Sequence, residues 1–241
     1  MLSRGHPDDK LGEPLNIIVS SLSSDDVLTA EGFLLWVTAL GFGVSCLGQG
    51  DDDSFQYANL GKGNENVKQG SLSGNNGVLR WNYGLPSVGT CRETIEGGNH
   101  MRWFMQRTKN GTAIFLASSY EKGLDQHHTI EPNGYNRGRD DIVGIATRPE
   151  GVEWNGFKYN ASAEWIPAGR LLNATSEGIN HPDVAPPNGT AIDGRVALLK
   201  VNTLQKNNDE KRSSSSGMSI QPQLCVAALL LLMTTAVFLG M

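Results

Sequence analysis

The last 18 residues, 224–241, carry no charged side chain and nothing more polar than Thr234 and Thr235. Coiled as a helix at about 1.5 Å per residue, such a stretch nearly crosses a hydrocarbon core of about 30 Å. A helix apolar on every side needs a large protein core around it. The tail is therefore set apart from the folding domain, which keeps roughly 200 residues, enough for one domain of good size.

Ser213, Ser214, Ser215, Ser216 and Gly217 precede an uncharged spacer, 218–223, and then the tail. Small residues, a short polar spacer and an apolar terminus are what a GPI-attachment signal requires, with Ser214 the expected attachment site. Two other readings compete. The tail stays as an anchor with the protein facing the cytosol, or it packs as a C-terminal helix of the domain. Residues 1–14, MLSRGHPDDKLGEP, contain no apolar h-region of a secretory signal. The tail-anchored reading in an intracellular membrane thus stays open beside the cell-surface one.

Of three cysteines, Cys225 lies in the tail, leaving Cys46 and Cys91. An even pair in an exported domain predicts one disulfide, worth about 3–4 kcal/mol in the chain-entropy model. Two free buried thiols are the cytosolic alternative. Four glycosylation sequons start at Asn110, Asn160, Asn173 and Asn188, a mild excess over chance for a chain this rich in Asn, Ser and Thr.

Net charge is −5 and no long basic run exists, so a nucleic-acid partner has no support. Residues 1–14 read as a loose segment. Residues 15–19 read as a buried strand, and 25–40 as the main helix, capped by Ser24 and ended by Gly41 and Gly43. Short strands are expected at 44–47 and 78–83. Residues 99–107 and 112–120, joined by Thr108-Lys109-Asn110-Gly111, predict an antiparallel hairpin. A short helix is expected at 139–146, its start marked by Asn136, with strands at 156–159 and 195–201. This is an α+β pattern: a mostly antiparallel sheet with one main N-terminal helix, plus the C-terminal hydrophobic helix. The domain spans 15–204, followed by a polar stalk, 205–223, and the tail, 224–241.

Chemistry concentrates between Gly97 and Asp141, where three of five histidines lie. His100, His127 and His128 with Glu121 or Asp125 have the donor types of a zinc site. Adjacent histidines on a strand diverge, however, and no spaced metal motif exists, so no metal is assigned. His100, Arg102 and Asp140 are candidates for acid–base hydrolysis, with Arg102 to grip an anion. The competing reading is a structural network of Arg102 or Arg139 with Asp140 or Asp141. Ser118-Ser119 lacks a nucleophile elbow. Asp51-Asp52-Asp53 lacks calcium-loop spacing, and Gly61-Lys62-Gly63 does not meet the phosphate-loop pattern. Trp81, Tyr83 and Trp103 are candidates for a carbohydrate platform, and His127 and Arg139 for further binding contacts.

The run Asn99-His100-Met101-Arg102-Trp103, the strand 111–120, the His127-His128 pair and the segment 135–143 resemble a family of fungal secreted or surface proteins without an assigned activity. More remotely they resemble the LssY C-terminal domain of bacterial membrane proteins, over roughly 15–146. The resemblance implies a related fold and a surface location rather than a reaction. The expected function is a GPI-anchored cell-surface protein with a non-catalytic domain that binds wall glycan or a surface partner. It needs no cofactor and meets the membrane through its tail or lipid. The alternatives are a phosphate or ester hydrolase using His100, Arg102 and Asp140, and the tail-anchored protein.

Overall fold

The computed structural model describes residues 1–6, 8–44, 46, 56–60, 67–68, 76–86 and 88–207. The acidic run at 51–53, the Gly61-Lys62-Gly63 segment, Ser214, nearly all of the stalk and the whole tail lie outside the described residues.

Ile17–Val19 (β3) is buried at all three positions. It lies between two long partners and serves both faces of a sheet. Val196–Gln205 (β12) runs parallel to it, with Leu198 opposite Ile18. Gly111–Lys122 (β9) runs antiparallel on its other side, with Phe115 opposite Ile18. β9 continues the expected hairpin with Gly97–Thr108 (β8), in register from Thr108–Gly111 back to Gly97–Lys122. Asn76–Trp81 (β7) and Phe42–Val44 (β4) extend the sheet beyond β8. Phe157–Ile166 (β11) and Val152–Trp154 (β10) extend it beyond β12. The eight-stranded order is β10-β11-β12-β3-β9-β8-β7-β4. Leu2–Arg4 (β1), Glu13–Pro14 (β2), Tyr57–Ala58 (β5) and Val67–Lys68 (β6) form a second small sheet, so part of 1–14 is ordered strand rather than loose chain.

The fold is α+β, but two features of the expectation change. The main sheet is mixed, because β12 returns parallel beside β3. Among the described residues there are also three α-helices: Ala30–Ala39 (α1), Gly89–Glu96 (α2) and Gly134–Ala146 (α3). α1 starts five residues later than the sequence pattern predicts. The side chains expected to open it bind β12 instead. The Ser23 and Ser24 hydroxyls accept from the amides of Val201 and Thr203, and Asp26 accepts from the Thr203 hydroxyl. Thr29 takes over as cap, accepting from the Gly32 amide at 3.0 Å.

Strand alternation sends apolar side chains to both faces. Phe33, Trp36 and Val37 of α1 pack on Val19, Met101, Trp103, Met105, Ile114 and Leu116. On the other face Ile18, Phe104, Phe115 and Ala117 pack with Leu15, Tyr135 and residues of the long loop before β12. α3 presses closely on β9. A Cβ at Gly138 would lie 2.8 Å from the Ser119 backbone, so only glycine permits this approach.

Candidate functional site

The hairpin register puts Arg80, His100 and Ser119 side by side across three strands. His100 Nδ1 lies 3.1 Å from the Ser119 hydroxyl and 3.1 Å from Glu121 Oε1. Arg80 reaches Glu93 of α2 at 2.9 Å and Glu121 at 3.5 Å. Arg102, on the same face two residues from His100, lies 3.4 Å from Glu13 of β2. His100 is 1 % exposed and Glu93 fully buried.

Burial dictates the charge states. It pushes the Glu121 carboxyl up to about 8, against the pull of Arg80 and with help from Glu13 and Glu93. Burial, then the charges of Arg102 and Arg80, holds His100 well below its ordinary range. Glu93 is likewise raised by burial, with Arg80 opposing. At neutral pH Glu121 therefore donates its proton to a neutral His100 rather than forming an ion pair. His100 Nε2 and Glu93 Oε1 are buried without a hydrogen-bond partner.

This is not the geometry of a hydrolytic triad. A serine nucleophile needs the far ring nitrogen from the carboxylate, whereas Ser119 and Glu121 share Nδ1. Nor does the structure bring Asp140 to His100. Asp140 lies on α3, 2.8 Å from Arg139 Nε. α3 faces Asn99, whose side-chain amide donates to Gly138 O at 2.9 Å, and neighbouring strand residues point opposite ways.

A pH dependence follows. The contribution of Glu121 is fully present below about pH 4.5 and is lost as pH rises toward 8. That of His100 is present above 6.5 and lost below it. Below pH 6.5 the two trends oppose each other. Above 6.5 only that of Glu121 remains, so unfolding free energy is expected to fall by about 2 kcal/mol between there and pH 8. Urea titrations across pH read this directly, and Glu121→Gln should flatten the upper limb.

The other expected site residues disperse. Trp103 is core, its ring 4.9 Å from Phe33. Tyr83 lies in a turn, donating its hydroxyl to Gly97 O with Arg92 stacked 4.4 Å over its ring. Trp103 and Tyr83 thus form no common platform, because strand alternation sends Trp103 under α1. His127 and His128 occupy successive left-handed positions (φ 57° and 53°) in the turn after β9. Among the described residues no three His, Cys, Asp or Glu side chains come together as metal ligands. Arg139 is buried and clamps Asp193 through two nitrogens, at 2.6 and 2.8 Å. It is a structural residue, not an exposed binding contact. Cys46 and Cys91 form the expected disulfide. Asn110, Asn173 and Asn188 are exposed, whereas Asn160 lies on β11 and accepts from the Asn202 amide at 3.1 Å.

What the structure does assemble is a groove of about 350 Å³ between α3 and the strands β7, β8 and β9. Trp81, Asn99 and Tyr120 supply its sheet side, and Asp140, Asp141 and Arg148 its helix side. The Tyr120 phenol, raised by burial and by Asp141, is hydrogen-bonded to that carboxylate. Arg137 covers the other part of its ring at 4.7 Å. Trp81 is among the aromatic candidates of the sequence. Tyr120, Asp141 and Arg148 join it only because α3 docks beside β9, which no local motif encodes.

Among the described residues no helix is long and apolar enough to cross a membrane. No protein-family model, no curated protein and no solved structure matches this chain.

Proposed function

We propose that this chain is a cell-surface protein, joined to the membrane through its apolar tail or a lipid that replaces it. Its domain binds wall glycan without catalysis. The groove at Trp81, Tyr120, Asp140 and Asp141 carries the reading. A partly exposed indole beside carboxylates and a buried amide offers an apolar face for a sugar ring and acceptors for its hydroxyls. The disulfide and the three exposed sequons agree with export. The burial of His100 and its separation from Asp140 favour binding over hydrolysis.

The test is sedimentation of the purified protein with insoluble wall polysaccharide. Wild type is expected in the pellet. Trp81→Ala, or Asp141→Asn where the indole is needed for folding, should lower the bound fraction about tenfold, the loss of about 1.4 kcal/mol. Wild type in the supernatant, or undiminished retention of folded variants, would rule out the glycan reading.

A further inference from the structure

α2 is fastened to the sheet in an unusual way. Its buried residues are Gly89, Thr90 and Glu93, so no large apolar side chain anchors it. Val88 and Ile95 are exposed. The helix begins flush against the Asn82 backbone, where a Cβ on Gly89 would lie 1.6 Å from the carbonyl oxygen. It ends on Gly97 at φ 87°. What attaches it is polar and covalent: the Glu93–Arg80 pair, the Tyr83 bond to Gly97 O, and the Cys46–Cys91 disulfide.

Glu93 therefore ties the docking of α2 to the charge of the buried cluster. Five elements supply the groups around Glu121. Arg80 comes from β7, His100 and Arg102 from β8, Ser119 from β9 itself, Glu93 from α2 and Glu13 from β2. His128, in the turn after β9, and Tyr135 of α3 sense the same field. Arg80 pairs with Glu93, and Arg102 with Glu13. Glu121 is the third carboxyl against two guanidiniums. It fits without an unmatched charge only while it keeps its proton, which the neighbouring His100 Nδ1 accepts as a hydrogen bond.

We propose that this cluster is a proton-controlled latch for α2. With one proton held between Glu121 and His100, the helix is docked; loss of that proton above neutral pH undocks it, and the disulfide keeps it tethered. On deprotonation Glu121 competes with Glu93 for Arg80 and repels it inside a site with little water. α2 is the element that yields, since no large buried apolar side chain opposes its departure. Segments attached this way sit at the low end of a protein's local stability. The burial that pushes the Glu121 carboxyl up to about 8 places the change just above neutrality.

Hydrogen exchange of the full, disulfide-intact chain tests this, with protection corrected for intrinsic exchange at each pH. Between pH 6.5 and 9 the amides of 88–96 are expected to lose protection about tenfold and to stay well below those of α1 and α3, whose protection falls only with the global stability. Glu121→Gln, which is neutral at every pH and donates to His100, should hold α2 protected throughout. Glu93→Gln, which removes both the competing carboxylate and the ion pair of α2 with Arg80, should lower the protection of 88–96 at every pH and abolish its pH dependence, and serves if the first variant does not fold. The proposal is overturned by pH-independent protection of α2 in wild type, by the wild-type pH dependence persisting in either variant, or by α2 being as well protected as α1 and α3 at every pH.

Discussion

Arg139→Ala is expected to destabilise the domain by about 3 kcal/mol, read as a lower urea midpoint at unchanged slope. The guanidinium is 1 % exposed and makes four hydrogen bonds: two to Asp193, one to Asp140 and one to the Arg195 carbonyl. Its plane also lies 5.1 Å over Trp165, whose ring Arg195 approaches at 3.9 Å. One side chain thus joins α3, the loop before β12 and the end of β11. Burial opposes ionisation of Asp193, yet the bonds from Arg139 and the Arg195 amide hold its carboxyl below the ordinary range. Truncation leaves that carboxylate half-buried without its cation, which costs more than the lost attraction alone. Asp193 is partly exposed, so water recovers some of the loss, and the figure sits at the low end for a buried pair. Arg139→Lys should lose roughly half as much, because an ammonium keeps the charge but cannot form the planar two-nitrogen clamp.

Arg139 also shows where sequence reading reaches its limit here. Its density among acidic neighbours was visible, but its main partner, Asp193, is 54 residues away. The hairpin of β8 and β9 was legible because apolar content and a short polar turn are local signals, and the register closes across that turn. The start of α1 was not, because Ser23, Ser24 and Asp26 look like caps until β12 claims their oxygens from 177 to 179 residues away. The parallel pairing of β3 and β12 has no local signature beyond three consecutive buried aliphatic residues. α2 was missed for a different reason. Its buried face is two small residues and a glutamate, and its first residue lacks a side-chain cap, so neither apolar period nor capping announces it. Glu93 and Arg80 were missed with it. His100, Glu121 and Ser119 were each in view, but only the strand register makes them neighbours. The same register turns His100 away from Asp140.

Replacing Cys46 and Cys91 together by serine is expected to cost about 3–4 kcal/mol of stability, comparable to the loss of Arg139. The bond closes a span of 45 residues, long enough for the unfolded chain to lose substantial freedom when it is present. The native contribution is uneven across the fold. β7 keeps its full ladder with β8 without the bridge. α2 has no apolar anchor and would rest on Glu93 and Tyr83 alone. Denaturation in urea should therefore show the global loss, while hydrogen exchange at pH 6 should show the largest drop in protection over 88–96. If the double variant matched wild type in both measurements, the bridge would be incidental to the fold. A global loss with α2 protection intact would mean that the polar cluster alone suffices to dock the helix, and that the disulfide acts only by restricting the unfolded chain.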